Sequence, residues 1–242
     1  MMGAMPRLAG ALLACTLAGA ASAATLEEIV AKHVEARGGR EALRSLSTVR
    51  MKGRASAGPG RVAIVTREIA RPGRIRTEFV FQGTRGVFAW DGASGFRVSP
   101  LDGAFSPEPL PAEQAAEAAE QADVEGPLVD WKAKGHTLEL VRAASPGNAE
   151  HELQLTLRTG GVRRLWLDAA SGQIVRMELT RLARGRPLLL RVDFSDFRET
   201  QGIRFPRAIE VGARERPTRL RIVVDEVEAN VPMDEARFRL PG

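Results

Sequence analysis

Glu152-Leu-Gln-Leu-Thr-Leu-Arg158 leads through a Gly160-Gly161 turn into Val162-Arg-Arg-Leu-Trp-Leu167 and then Asp168-Ala-Ala-Ser-Gly172. Gln173-Ile-Val-Arg-Met-Glu-Leu179 follows, then an Arg184-Gly185-Arg186-Pro187 turn and the run from Leu188 to Phe197. Four runs alternate apolar with polar residues, and Gly-rich turns recur at roughly ten-residue spacing, the pattern of an antiparallel meander. Leu153, Leu155, Leu157, Leu165, Leu167, Val175, Met177 and Leu179 fall on one face. Gln154, Arg158, Arg163, Arg176 and Glu178 read as the other face or its edges. A sheet that is apolar on one side must be covered there. What covers it is the functional question.

The rest of the chain supplies more strands and little helix. Thr25 to Arg37 reads as a helix with Thr25 as N-cap and Glu28 completing a capping box. Leu26, Ile29, Val30, His33 and Val34 share one of its faces, and Gly38-Gly39 ends it. A short helix is expected near Arg40 to Leu46. Strands follow at Val49–Ala57, Arg61–Ala70, Ile75–Gln82, Gly86–Trp90 and Gly95–Ser99, with Asp91-Gly92 as a hairpin signal. Pro100 to Pro111 reads as a loop. Ala112 to Ala122 is a helix started at Pro111 but poor in large apolar groups. Pro127 to Lys134 reads as a second short helical piece, and Gly135 to Arg142 resumes the strands. Beyond the meander, a strand at Ile203–Val211 carries Pro206, which implies an edge or a bulge. A long strand runs from Thr218 to Val227, and the tail is expected to dock by Phe238 and Leu240.

The expected fold is therefore mainly β, about ten or eleven antiparallel strands with a few short α-helices. A flat sheet of that size is roughly 50 Å wide, and helices about 10 Å across cannot cover it in so few copies. The sheet should curl, closing as a barrel or standing as an incomplete barrel lidded by the helices.

Composition narrows the function. Of the 242 residues, 44% are hydrophobic, which is ample for a core. The net charge of +5 comes almost wholly from Arg, the only lysines being Lys32, Lys52, Lys132 and Lys134. Acidic residues are interleaved with basic ones, so the surface is mixed and no nucleic-acid stripe is expected. Residues 1–23 read as a secretory signal: Arg7 flanks an apolar run from Leu8 to Ala20, and Ala21-Ser22-Ala23 has the form of a cleavage site. Residues 24–242 are then one mature domain without Cys, since Cys15 is the only one. Leu12-Leu13-Ala14-Cys15 loosely resembles a lipoprotein box, but apolar residues continue after Cys15, so a free exported protein is expected over a lipid-anchored one.

Several segments resemble one superfamily in order along the chain. They are Ala36-Arg-Gly-Gly-Arg-Glu-Ala-Leu43, Arg71-Pro72, Val87-Phe-Ala-Trp-Asp-Gly92 with Phe96-Arg-Val-Ser-Pro100, and Leu165-Trp-Leu-Asp168 with Ser171-Gly-Gln-Ile-Val-Arg-Met177. Gly202-Ile-Arg-Phe-Pro206 and Met233-Asp-Glu-Ala-Arg-Phe238 complete the set. The chain resembles the LolA/LolB-like periplasmic lipoprotein-sorting proteins, whose superfamily includes the LppX and LprG lipid carriers and the sensor-binding RseB. The resemblance implies an incomplete antiparallel barrel with a helical lid, a periplasmic location, and acyl chains or lipoproteins as cargo, with inner- or outer-membrane transport partners. The RseB-like alternative is a module that holds a protein partner. The chain is longer than LolA and carries the extra Ala-rich segment 112–122.

Chemistry beyond apolar binding is not signalled. His151-Glu152-Leu-Gln-Leu155 begins like a zincin helix but has Leu where the second His belongs, and it lies in a strand. No P-loop, dinucleotide fingerprint or nucleophile elbow occurs. No catalytic residue, metal ligand or cofactor is expected. Asp193 and Asp196 fall on opposite faces of their strand, and His33 reads as a packing histidine. The candidate cavity lining is Phe79, Phe81, Phe88, Trp90, Trp131, Leu155, Leu157, Leu165, Leu167, Met177, Leu190, Val192 and Phe194, with Arg71 at the mouth to meet a headgroup.

Overall fold

The computed structural model describes residues 24–183, 186–213 and 219–240. The expected signal segment, Cys15 and most of the Arg184–Pro187 turn's tip lie outside the described residues. The first helix, α1 (Leu26–Ala36), begins on the capping box read from the sequence: Thr25 accepts from the Glu28 N–H, and Glu28 reaches back to the Thr25 N–H. It buries Ile29, Val30, His33 and Val34. A second helix, α2 (Arg40–Ser45), buries Leu43.

Six strands follow: β1 (Thr48–Ser56), β2 (Val62–Ala70), β3 (Arg74–Phe81), β4 (Thr84–Trp90), β5 (Gly95–Ser99) and β6 (Ala104–Pro109). Helix α3 (Ala112–Gln121) and a series of turns lead to the second set. These are β7 (Thr137–Arg142), β8 (Glu150–Thr156), β9 (Val162–Asp168), β10 (Ile174–Ala183), β11 (Arg186–Thr200), β12 (Ile203–Ala213) and β13 (Arg219–Ala229). All pair antiparallel in one 13-stranded sheet of order β6-β5-β4-β3-β2-β1-β13-β12-β11-β10-β9-β8-β7. Two meanders are thus joined back to back by the pairing of β1 with β13. The sheet is not closed, and β6 and β7 are its edges.

The count exceeds the expected ten or eleven strands. One reason is 104–109, read as loop because of Pro107 and Pro109. It is an edge strand, where a missing N–H on the free side costs nothing. The expected helical piece at 127–134 is a run of turns instead. Gly126 and Asp130 there take positive φ of 86° and 50°, and the Asp130 carboxylate is drawn to Arg40 and Arg44. Pro206 pairs with Phe197 of β11 but lies outside the stretch Ala208–Gly212 that β13 pairs, which is the edge-like setting its ring demands.

Register makes the concave face explicit. Trp90, Ile75, Ile69, Val49 and Ala229 form one inward row across β4, β3, β2, β1 and β13. Leu140, Leu153, Leu165, Met177, Val192, Val211 and Leu220 form another across β7 to β13. That second row carries the leucines of the opening meander and grades from Leu153, wholly buried, to Leu220, 39% exposed. A bulge between Lys52 and Gly53 resets the phase opposite Asp225, so Val224 and Val227 both point inward. Gly53 is required there, because a Cβ would lie 2.1 Å from the Val223 carbonyl oxygen. On the convex face the tail docks through Phe238, buried under Arg74. Leu240 does not dock; it is 54% exposed, because the short 3-10 turn Glu235–Phe238 ends on Phe238, its only large apolar group.

Candidate functional site

The chain leaves one sheet edge at β6 and enters the other at β7. The connection between them crosses the concavity, and together with α1 and α2 it covers the apolar face. Residues 122–131 contribute Ala122, Val124, Leu128 and Val129, which join α1, Leu43 and Leu46 in one buried cluster with Leu153, Leu155, Leu165 and Leu167. Much of the concave face is thus packed as core.

The candidate lining residues accordingly divide. Leu155, Leu157, Leu165, Leu167 and Val192 are buried. Phe88, Trp90, Trp131 and Met177 are half-buried and pack against the same cluster. Leu190 and Phe194 are half-buried on β11, where they pair with Leu179 and Ile209 of the inward rows. Phe79 and Phe81 line a cavity of about 220 Å³ shared with Ala55, Ala57, Arg61, Ala63, Leu101 and Leu220, and Leu167 touches a second one. This second cavity, of about 330 Å³, lies at the start of α1, between Ala24, Glu28 and Lys32 on one side and His151, Asp168 and Gly172 on the other.

Arg71 is occupied by the chain itself. Its Nε donates to the Leu46 carbonyl at 2.5 Å, and its Nη2 reaches the Leu43 carbonyl at 3.4 Å and the Glu125 carboxylate. It ties α2 to the turns that follow α3. Glu125 is buried and also faces Lys134 at 3.6 Å.

The sequence reading missed a polar cluster on the inward face. Arg67 of β2 pairs with Met51 and so points inward; Arg163 of β9 pairs with Leu179, and Arg181 of β10 with Leu188. Each lies two residues from an inward apolar residue: Ile69, Leu165 and Leu179. Strand parity placed Arg163 inside all along, and its charge misled the assignment to the outer face. All three meet α3. Glu117 accepts from Arg181 and from the Gln121 amide, whose oxygen in turn accepts from Arg67. Glu120 accepts from Arg163 and, at 3.3 Å, from the Thr159 hydroxyl. A continuous polar chain thus runs from β2 to β10 across the mouth. Nε of both Arg67 and Arg181 is cut off from solvent without a partner. Burial, and then the neighbouring Arg181, push the Arg67 pKa down to about 10.

The histidines serve the backbone. His33 Nδ1 lies 2.9 Å from the Gly172 carbonyl, to which only a protonated Nδ1 can donate. His136 and His151 accept at Nδ1 from the N–H groups of Arg158 and Ala144. Asp193 is held by Arg191 and Arg219, and Asp196 by Arg198. Among the described residues no three His, Cys, Asp or Glu side chains gather as a metal site.

An open antiparallel half-barrel with helices laid in its concavity is the LolA-like fold, and the chain has it. It is similar to a solved DUF1329 family protein from Desulfovibrio piger, with a TM-score of 0.58 and 11% identity over 88% of this chain and 96% of that one. It is similar to a putative outer membrane lipoprotein-sorting protein domain from Vibrio parahaemolyticus, with a TM-score of 0.56 and 11% identity over 87% and 94%. It is similar also to a LolA superfamily protein from Nitrosomonas europaea, with a TM-score of 0.55 and 15% identity over 90% and 98%. No protein-family model matches the sequence, and no curated protein aligns with it significantly.

Proposed function

We propose that the protein is exported to the periplasm and carries lipids or lipoproteins by sequestering acyl chains on its concave face. One observation carries this reading. The element that crosses the open half of the concavity, α3, is bound there by charged side chains and buries only Ala118 of its own ten residues. A segment needed only to complete a core would supply large apolar groups, as α1 does. The cavity that Phe79, Phe81 and Leu220 line is about 220 Å³, below the ~300–1,000 Å³ of small-molecule sites. Loading on this reading has α3 swing aside to uncover more of the inward apolar face. Each methylene then transferred from water contributes about 0.8 kcal/mol, so no polar chemistry is needed for tight binding.

Native mass spectrometry of protein purified from a periplasm tests the reading. A co-purifying lipid, with uptake of a fluorescent fatty acid that Leu220→Glu or Phe81→Glu abolishes, is the expected result. Protein that is repeatedly lipid-free, shows no uptake and retains a polypeptide instead would favour the partner-holding alternative and end the carrier reading.

A further inference from the structure

Arg67, Arg163 and Arg181 are an unusual investment. They stand on strands of both walls, point inward, and converge on one helix that makes little apolar contact. Among the described residues their counter-charges, Glu117 and Glu120, sit on that helix alone. If α3 leaves, three guanidiniums remain inside the concavity with no carboxylate of their own wall, and a buried unpaired charge is costly. The cluster is undercharged even with α3 in place: three cations face two carboxylates. Arg67 has only the neutral Gln121 oxygen, and among the described residues no carboxylate comes within salt-bridge distance of it. Its Nε and that of Arg181 are donors without acceptors. In the inward rows Arg67 adjoins Val65, which pairs with Phe79 of the apolar cavity.

We propose that Arg67, Arg163 and Arg181 form a binding site for the acidic head of an amphiphile, a phosphate or carboxylate group, which Glu117, Glu120 and Gln121 of α3 occupy in its absence. This rests on the carrier reading and names its cargo class: an anionic lipid whose head takes the guanidiniums while its chain runs over Phe79, Phe81 and Leu220. Guanidinium forks suit such oxygens because they offer paired N–H donors in a plane. The helix acts as an internal competitor. Cargo takes the place of the α3 carboxylates, so the guanidiniums face an anion in both states.

The test is competitive binding to the full mature chain with dodecyl phosphate, laurate, uncharged monolaurin and inorganic phosphate. Dodecyl phosphate and laurate should bind about tenfold or more tighter than monolaurin. Arg181→Gln and Arg67→Gln should each erase most of that preference, bringing laurate down to the affinity of monolaurin, which itself stays equal or tightens because both changes also loosen α3. Glu117→Gln, which weakens the competitor, should tighten the anionic ligands by a few-fold; because it removes no arginine, it stays informative if an arginine variant folds poorly. Equal affinities for laurate and monolaurin would overturn the anion site and leave the carrier reading standing. Binding of neither would overturn both. Inorganic phosphate competing as well as dodecyl phosphate would assign the cluster to a free anion and remove the amphiphile from the proposal.

Discussion

Helices α1 and α3 lie over the same apolar face and are held there by opposite means. α1 has a complete capping box and sinks Ile29, Val30, His33 and Val34 into the core. α3 starts on Pro111 with no side-chain cap, buries Ala118, and depends on Glu117, Glu120 and Gln121 for its hold. Apolar burial is not screened by salt, and excluded salts strengthen it, whereas partly exposed ion pairs are screened and contribute little each. One helix is thus part of the core, and the other is the closure that the proposed carrier would release. Local opening free energies within one fold span this range, and ligand-gating elements come from its weak end.

The largest effect expected from breaking this contrast is on the α1 side. Ile29→Ala should cost about 2–5 kcal/mol of global stability, read as a lower urea midpoint with an unchanged slope. A loss confined to α1 amides would show that α1 is no more integral than α3. Leu155→Glu and Leu165→Glu belong with this group, since both residues are buried in the same cluster. They should unfold the protein and cannot serve as probes of binding.

A smaller effect follows from His33. Burial, then Arg37, push its pKa down to about 4 against the opposing Gly172 bond. The folded state therefore binds fewer protons than the unfolded one between about pH 6.5 and about pH 4. Stability is full above that window and is lost as pH falls through it, by about 2 kcal/mol between pH 6.5 and 5. His33→Gln, which can still donate to Gly172, should flatten that slope in urea titrations. An unaltered slope would place the proton uptake elsewhere, on His136 or His151, whose pKa values burial also lowers.

The sheet was legible because strand period and turn chemistry are local. Leu153, Leu165 and Met177 share one face in the sequence pattern, and they stand in one row, which Val192 continues. The capping box at Thr25 and Glu28 was legible for the same reason. The covering of the face was not. Counting helices missed residues 122–131, which fill the concavity with Val124, Leu128 and Val129 as turns and not as a helix. The arginine cluster was hidden by a rule that works on surfaces, namely that charged residues face water. Arg67, Arg163 and Arg181 obey strand parity instead, and their partners on α3 are between 43 and 64 residues away in sequence. No local pattern reports pairs at that separation.

The smallest effect is the most direct probe of the contrast. Glu117→Gln removes the acceptor that joins Arg181 to Gln121. Because Arg181 is partly exposed, the loss in global stability should stay within about 1 kcal/mol. Amide exchange across Ala112–Gln121 should nonetheless accelerate, since the apolar contact left to α3 is little more than Ala118 and Ala122. About 0.5 M salt should do the same to the unmodified protein by screening the ion pairs, while exchange in Leu26–Ala36 stays at its original rate. Salt that slows or spares α3 would mean that its alanines, not its charges, hold it. Parallel acceleration in α1 and α3 would make the two helices one cooperative unit. The concavity could then open only by unfolding, and a carrier cannot load and release cargo on those terms.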